Sequence, residues 1–195
     1  VSAEGSTGTV GLLLAAGGGS RMGRPKALVS DDDGTSWLVR SVATLRAAGC
    51  TKVVVVLGAS ADEAQALVDD DPAVRVVVAD DWAEGMAASL STGLCALQEP
   101  DGDVALVTLV DLPDVGPEVG RRVLAAADGP TSLARAVYDG RPGHPVLMGR
   151  DHWFPAAAVV EGDEGARDYL REHGCVAVEC GDLATGRDVD TPPAD

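Results

Sequence analysis

Short continuous apolar runs alternate along this chain with amphipathic stretches of helical spacing. Residues 9–15 form one such run and break into glycines, which predicts a strand buried on both faces. Over residues 36–48, Leu38, Val42 and Leu45 fall on one helical face. Thr35 or Ser36 stands where a cap is needed, and Gly49 lies just past the end. Residues 52–57 predict a second strand. Residues 60–68 predict a helix, because Ser60 and Glu63 have capping-box spacing. Residues 74–78 read as a strand, 86–97 as a helix and 104–110 as a strand. Residues 117–127 read as a helix opened by Pro117.

This order predicts an α/β fold: an open, mostly parallel sheet with helices on both faces, three layers in all. Past Gly129 the rhythm changes. Strands are expected at 131–137, 145–148 and 176–179, and helices at 151–160 and 163–173. Residues 1–8, rich in Ser, Gly and Thr, read as a flexible tail. Residues 9–195 read as one domain, with no repeat and no dividing linker. Ligands of open parallel sheets bind beyond the carboxyl ends of the strands. Functional residues are therefore expected within 16–26, 58–60, 82–89 and 111–113.

Composition sharpens the picture. Aromatics make up only 3% of the chain, so the core must be built from Val, Leu and Ala. A net charge of −16 argues against nucleic acid or an anionic membrane as partner, since both require a basic face. No apolar run approaches the roughly 20 residues of a membrane span. The cysteines, Cys50, Cys95, Cys175 and Cys180, form no C-x-x-C pair, and a reduced cytoplasmic protein is the simplest expectation. Cations concentrate early, at Arg21, Arg24 and Lys26, just ahead of Asp31, Asp32 and Asp33.

Those early cations follow Gly17, Gly18 and Gly19. Glycine amides turn readily around an anion, and Arg21 with Lys26 adds charge, a combination suited to a triphosphate. The loop is not a Walker A motif, because Arg24 follows Gly23 where Lys is required. Nor is it a dinucleotide fingerprint, because Met22 stands at the last glycine place. The chain has thirteen Arg but only two Lys, and a compact ammonium at Lys26 fits a crowded phosphate. Asp111 ends an apolar run, well placed to hold Mg²⁺ with a second oxygen from Asp188 or Asp190. His144, His152 and His173 lack zinc-ligand spacing. Gly85 lets a base approach the backbone, and the Ser89 hydroxyl can meet a pyrimidine edge. Trp82 reads as a packing residue. Arg167 stands in an expected helix start, a reasonable anion site.

The segment Leu14-Ala-Ala-Gly, followed by Ser20-Arg-Met-Gly-Arg-Pro-Lys26, resembles the signature of the MobA-like nucleotidyltransferase family. Asp81-Trp-Ala-Glu-Gly85, Asp111-Leu-Pro113, Gly143-His-Pro145, Gly162-Asp-Glu-Gly165-Ala-Arg167 and Asp188-Val-Asp190-Thr-Pro192 resemble later motifs, most closely those of its molybdenum cofactor cytidylyltransferase branch. The resemblance implies catalytic roles for Arg21, Lys26 and Asp111, and a metal held by Asp111 and Asp190. The expected nucleotide contacts are Ala15, Ala16, Gly17, Gly18, Gly19, Arg21 and Lys26, joined by Gly58, Gly85 and Ser89. His144 and Arg167 would face the acceptor. Glu164 departs from the pattern, where family members often carry a basic residue. The implied substrates are CTP, with Mg²⁺, and molybdopterin cofactor, whose phosphate would attack the α-phosphorus and release pyrophosphate. A molybdoenzyme or its maturation factor would be the protein partner. A guanylyltransferase, a transferase acting on a sugar phosphate or other phosphorylated metabolite, and a non-catalytic nucleotide-binding chaperone remain the alternatives.

Overall fold

Parallel hydrogen bonding joins β1 (Thr9–Leu14) to β2 (Lys52–Leu57) on one side and to β4 (Val104–Leu109) on the other, with β3 (Val74–Val78) beyond β2. β6 (Arg141–Gly149) then runs antiparallel between β4 and β5 (Leu133–Tyr138), and β7 (Val176–Glu179) lies parallel to β5. The result is one seven-stranded sheet in the order β3-β2-β1-β4-β6-β5-β7. The computed structural model describes residues 8–20, 22–97, 101–162 and 165–190. Nearly all of the expected N-terminal tail, Arg21, and the start of the helix expected from Asp163 lie outside the described residues.

Helices cover both faces, as strand alternation requires. Leu13, Val53, Val55 and Leu106 point to one side, where α1 (Trp37–Ala48), α2 (Ala61–Gln65) and α4 (Pro117–Leu124) pack. Leu12, Leu14, Val54 and Val107 point to the other, against α3 (Met86–Ala96), α5 (Trp153–Ala157) and α6 (Arg167–Glu172). Capping explains the ends of α1. The Ser36 side chain accepts from the Val39 amide at 3.2 Å, and Gly49 closes the helix with φ at 122°.

Several boundaries differ from the sequence reading. Ser60 does not cap α2: it sits in the left-handed region, at φ 53° and ψ 40°, and is bridged to Gly58. A capping serine needs extended backbone; the helix still begins at Ala61 but ends early, at Gln65, where the Leu67 and Val68 amides turn back to Ala64 and Gln65. The helix expected at 151–160 is a 3-10 turn, Arg150–His152, followed by short α5. β6 starts earlier than expected, because Pro142 and Pro145 lie beyond its last pair with β4, Val107 with Val146. A proline there interrupts no ladder on that side. All the cysteines are free, so no Cys175–Cys180 bridge forms. Among the described residues, no helix is long and apolar enough to cross a membrane.

The connectivity has a functional consequence. The chain leaves β1 with one parallel neighbour on each side, so the loops after β1 and β4 open apart at the sheet's carboxyl edge. β6 begins at that same edge, because it runs against β4.

Leu12 has no exposed surface and packs where α3 meets β1. Leu12→Ala should lower the unfolding free energy by about 2–5 kcal/mol, the usual range for truncating a buried leucine. Urea titration followed by circular dichroism measures this directly.

Candidate active site

Beyond the carboxyl ends of β1 and β4 lies an open cleft of about 590 Å³. Its floor is the loop after β1, with Ala15, Ala16, Gly17, Gly19 and Ser20; Trp82, Gly85, Met86 and Ser89 form one wall. The Ala15 amide still bonds Val56, and the Ala16 carbonyl accepts from Ala59, so the loop is anchored to β2. Beyond that anchor the pairing stops. Among the described residues, none accepts from the amides of Gly17, Gly18 or Gly19. Gly19 has φ at 61°, and a side chain there would collide with the Arg24 carbonyl at 1.9 Å. A Cβ at Gly17 would meet no protein atom, only the cleft, so its absence leaves room for a ligand close to the backbone.

Opposite the loop stand Asp111, Asp188 and Asp190, each offering one carboxylate oxygen within 4.8 Å of the others. Asp111 follows β4. The C-terminal segment is laid against it by a bond from the Val189 amide to the Asp111 carbonyl, 3.0 Å. Thr185 reinforces this by donating to Asp114 through both its amide and its hydroxyl, each at 2.6 Å.

Lys26 is drawn into the group. Its Nζ donates to Asp111 Oδ2 and to Asp190 Oδ1, each at 2.6 Å. Burial alone would pull the ammonium's pKa down; the bonds and negative charges of Asp111 and Asp190 outweigh it, and the net displacement is upward. Lys26 is therefore firmly charged. An ammonium has three donors, and two are spent on carboxylates, leaving one for a phosphate oxygen.

The chemistry of this set fits a divalent cation. Asp111 Oδ1 is buried and has no hydrogen-bond partner among the described residues, an expensive arrangement unless something positive meets it. An all-oxygen carboxylate cluster beside a phosphate-sized loop is the donor set that Mg²⁺ takes.

A second cavity, of about 190 Å³, adjoins the cleft and shares Leu14 and Met86 with it. His144 and Arg167 both line it, together with Arg135 and an apolar floor that includes Leu90, Val107 and Met148. Burial, with a smaller contribution from the charge of Arg135, pushes the His144 imidazole down to about 4. It is neutral near pH 7.

The structure thus brings together Ala15, Ala16, Gly17, Gly19, Lys26, Gly85, Ser89, Asp111 and Asp190 around one cleft. Arg21 lies outside the described residues. Gly58 and Gly18 are not among the lining residues of the cleft, and both lie against Trp82. A Cβ at Gly58 would strike the Trp82 ring at 2.5 Å, and one at Gly18 would press it at 3.1 Å. Both make room for Trp82, which lines the cleft. Trp82 does more than pack, since it also lines the cleft. Asp188, left open from the sequence, joins the carboxylate group. Arg135 was missed; its only signal was a charge inside the apolar run of β5.

Comparison with known proteins finds relatives along most of the chain. A model of the MobA-like NTP transferase domain matches residues 11–177. Nicotine blue oxidoreductase of Paenarthrobacter nicotinovorans is 38% identical over 193 residues, spanning 93% of this chain and 91% of that protein. A probable molybdenum cofactor guanylyltransferase of Rhodopirellula baltica is 35% identical over 128 residues, 65% of this chain and 60% of the relative. Among solved structures, Rv0371c of Mycobacterium tuberculosis superposes with a TM-score of 0.77 at 30% identity, covering 95% of this chain and 94% of that one. Rv0371c has also been solved in complex with manganese. The chain belongs to the MobA-like NTP transferase family.

His144 supplies a pH prediction. In the unfolded chain its ring takes a proton near 6.5, in the folded chain only near 4. Between those values the unfolded state binds more protons, so this group's effect on stability turns unfavourable as pH falls through that window. Relative to His144→Gln, the wild type should lose up to about 3 kcal/mol between pH 7 and pH 4, at roughly 1.4 kcal/mol per pH unit. Paired urea titrations at each pH measure the difference and cancel contributions common to both proteins.

Proposed function

We propose that this protein is a metal-dependent nucleotidyltransferase that moves CMP from CTP to the phosphate of molybdopterin cofactor and releases pyrophosphate. The observation that carries the reading is Lys26 held between Asp111 and Asp190, facing a loop whose Gly17, Gly18 and Gly19 amides have no described acceptor. Those amides bind phosphate oxygens. Lys26 adds a fixed positive charge where negative charge grows during transfer. Asp111 and Asp190, with Asp188, would hold Mg²⁺, which would neutralise phosphate charge. Gly85 and Ser89 meet the base. The acceptor phosphate oxygen forms a bond to the α-phosphorus as the bond to pyrophosphate breaks. A phosphate monoester, with a second pKa near 6, is already largely ionised at neutral pH, so no general base is required. Catalysis is then mainly positioning and charge stabilisation.

The cytidine assignment rests on the likeness of Gly143-His-Pro145 and its companion motifs to the cytidylyl branch. A guanylyltransferase keeps the same machinery and is favoured by the Rhodopirellula relative. The 38% identity to nicotine blue oxidoreductase favours a different chemistry, an oxidoreductase reaction on nicotine blue.

Calorimetric titration with CTP, GTP, ATP and UTP in the presence of Mg²⁺ separates these readings. Selective CTP binding, weakened at least about tenfold in Asp111→Asn, is expected. Lys26→Ala should slow turnover by about 10²–10³ while the fold survives, the range for removing one preorganised charge-stabilising donor. Selective GTP binding would move the assignment to guanylyl transfer. No triphosphate binding, together with redox turnover of nicotine blue, would replace the transferase reading with the oxidoreductase one.

A further inference from the structure

The second cavity is unusual for a chain with a net charge of −16. Among the described residues that line it there is no Asp or Glu, yet Arg135 and Arg167 both do. Arg135 lies on β5 opposite Val146, just before a register shift that bends the strand. Its Nη2 donates to the Gly143 carbonyl at 3.2 Å, but its Nε is buried without a described partner. Burial, with the charge of Arg167, pulls its pKa down from the ordinary guanidinium value, although arginine stays protonated at any ordinary pH. Cys175 is close enough to interact, but burial pushes its thiol up, so it supplies no anion. A half-buried guanidinium whose Nε is buried with an unused donor, and with a like charge nearby, is costly without a ligand. The rest of the lining is apolar: Leu90, Val107, Val146, Met148 and Leu170.

We propose that Arg135 reads the acidic group of the acceptor, and that this cavity selects a molecule with an anionic group on an apolar body. The proposal rests on the transferase reading for the word acceptor, but the cavity's ligand chemistry is testable alone. His144 is neutral near pH 7, so the guanidinia supply the cavity's positive charge among the described residues. The cavity shares Leu14 and Met86 with the cleft, which sets its ligand beside the site that Asp111 lines. A fork of donors against a phosphate or carboxylate gives charge-assisted bonds, which neutral molecules of the same shape do not form.

The probes are 1-naphthyl phosphate, 1-naphthol and inorganic phosphate, titrated into wild type, Arg135→Gln and Arg135→Lys by calorimetry, with CTP titrated separately. Wild type should bind 1-naphthyl phosphate more tightly than either fragment. Arg135→Gln should weaken that binding by about 10–100-fold, the range for losing a charged hydrogen bond. Arg135→Lys should recover part of the loss, and neither change should move CTP affinity or the melting temperature much. Unchanged probe binding in Arg135→Gln, or naphthol bound as well as its phosphate, overturns the proposal. Loss of CTP binding in all three proteins would instead strike the transferase reading and leave the probe result to stand or fall independently.

Discussion

The Lys26 ammonium joins the loop after β1 to carboxylates 85 and 164 positions further along the chain. Asp111, Asp188 and Asp190 offer oxygens within 4.8 Å of one another, and like charges that close repel at a cost. A cation between them removes that cost. It also fixes the C-terminal segment across the mouth of the cleft, where the Val189 amide and Asp114 hold it from either side. Before any ligand arrives, one side chain therefore assembles a site from three distant segments. The site is organised around a positive charge, and a cation ligand would meet carboxylates already in position.

Much of this was legible in the sequence because it depends on local rules. Apolar runs without alternation fixed β1, β2 and β4 as strands covered on both faces, and the αβ rhythm implied their parallel pairing. The carboxyl-edge rule then pointed to residues 16–26 and 111–113 without reference to any relative. The parts that could not be read are those set by tertiary geometry. Ser60 carries a capping-box spacing but lies in a left-handed turn bridged to Gly58, and spacing alone does not reveal φ. Pro142 and Pro145 hide the start of β6, because whether a proline breaks a ladder depends on where the neighbouring strand ends. Arg135 looked like an ordinary strand residue. Only the bend in β5 and the apolar wall across from it show that its guanidinium is enclosed.

The glycines after β1 illustrate a division of labour that composition conceals. Gly19 is required by backbone conformation, Gly18 and Gly58 by the bulk of Trp82, and Gly17 by neither. Gly17 is the position where the protein keeps empty space for something else. Trp82 explains why the others recur nearby: an indole can close one side of a phosphate-sized pocket only if the strands beneath it present no side chains. Packing and binding are consequently inseparable here. A larger residue at Gly58 would displace the wall of the cleft without touching its ligand.

Charge is distributed with the same economy. An acidic protein repels the polyanion it is proposed to bind, and the Debye length of about 8 Å at physiological salt limits how far that repulsion reaches. Within that range of the cleft, the unaccepted glycine amides and Lys26 face the ligand, and the carboxylates are themselves neutralised by Lys26 or suited to a metal. In the adjoining cavity Arg135 and Arg167 face inward, and no acid is found among the described lining residues. Leu14 and Met86 separate the two compartments. Leu14 ends β1 and belongs to the buried core, whereas Met86 stands partly exposed at the start of α3. Under the proposed transferase reading, two anionic substrates would lie on either side of these two residues, each with its own cations, beside the Asp111 group. Such an arrangement would order the reacting groups by the geometry of the sheet's carboxyl edge.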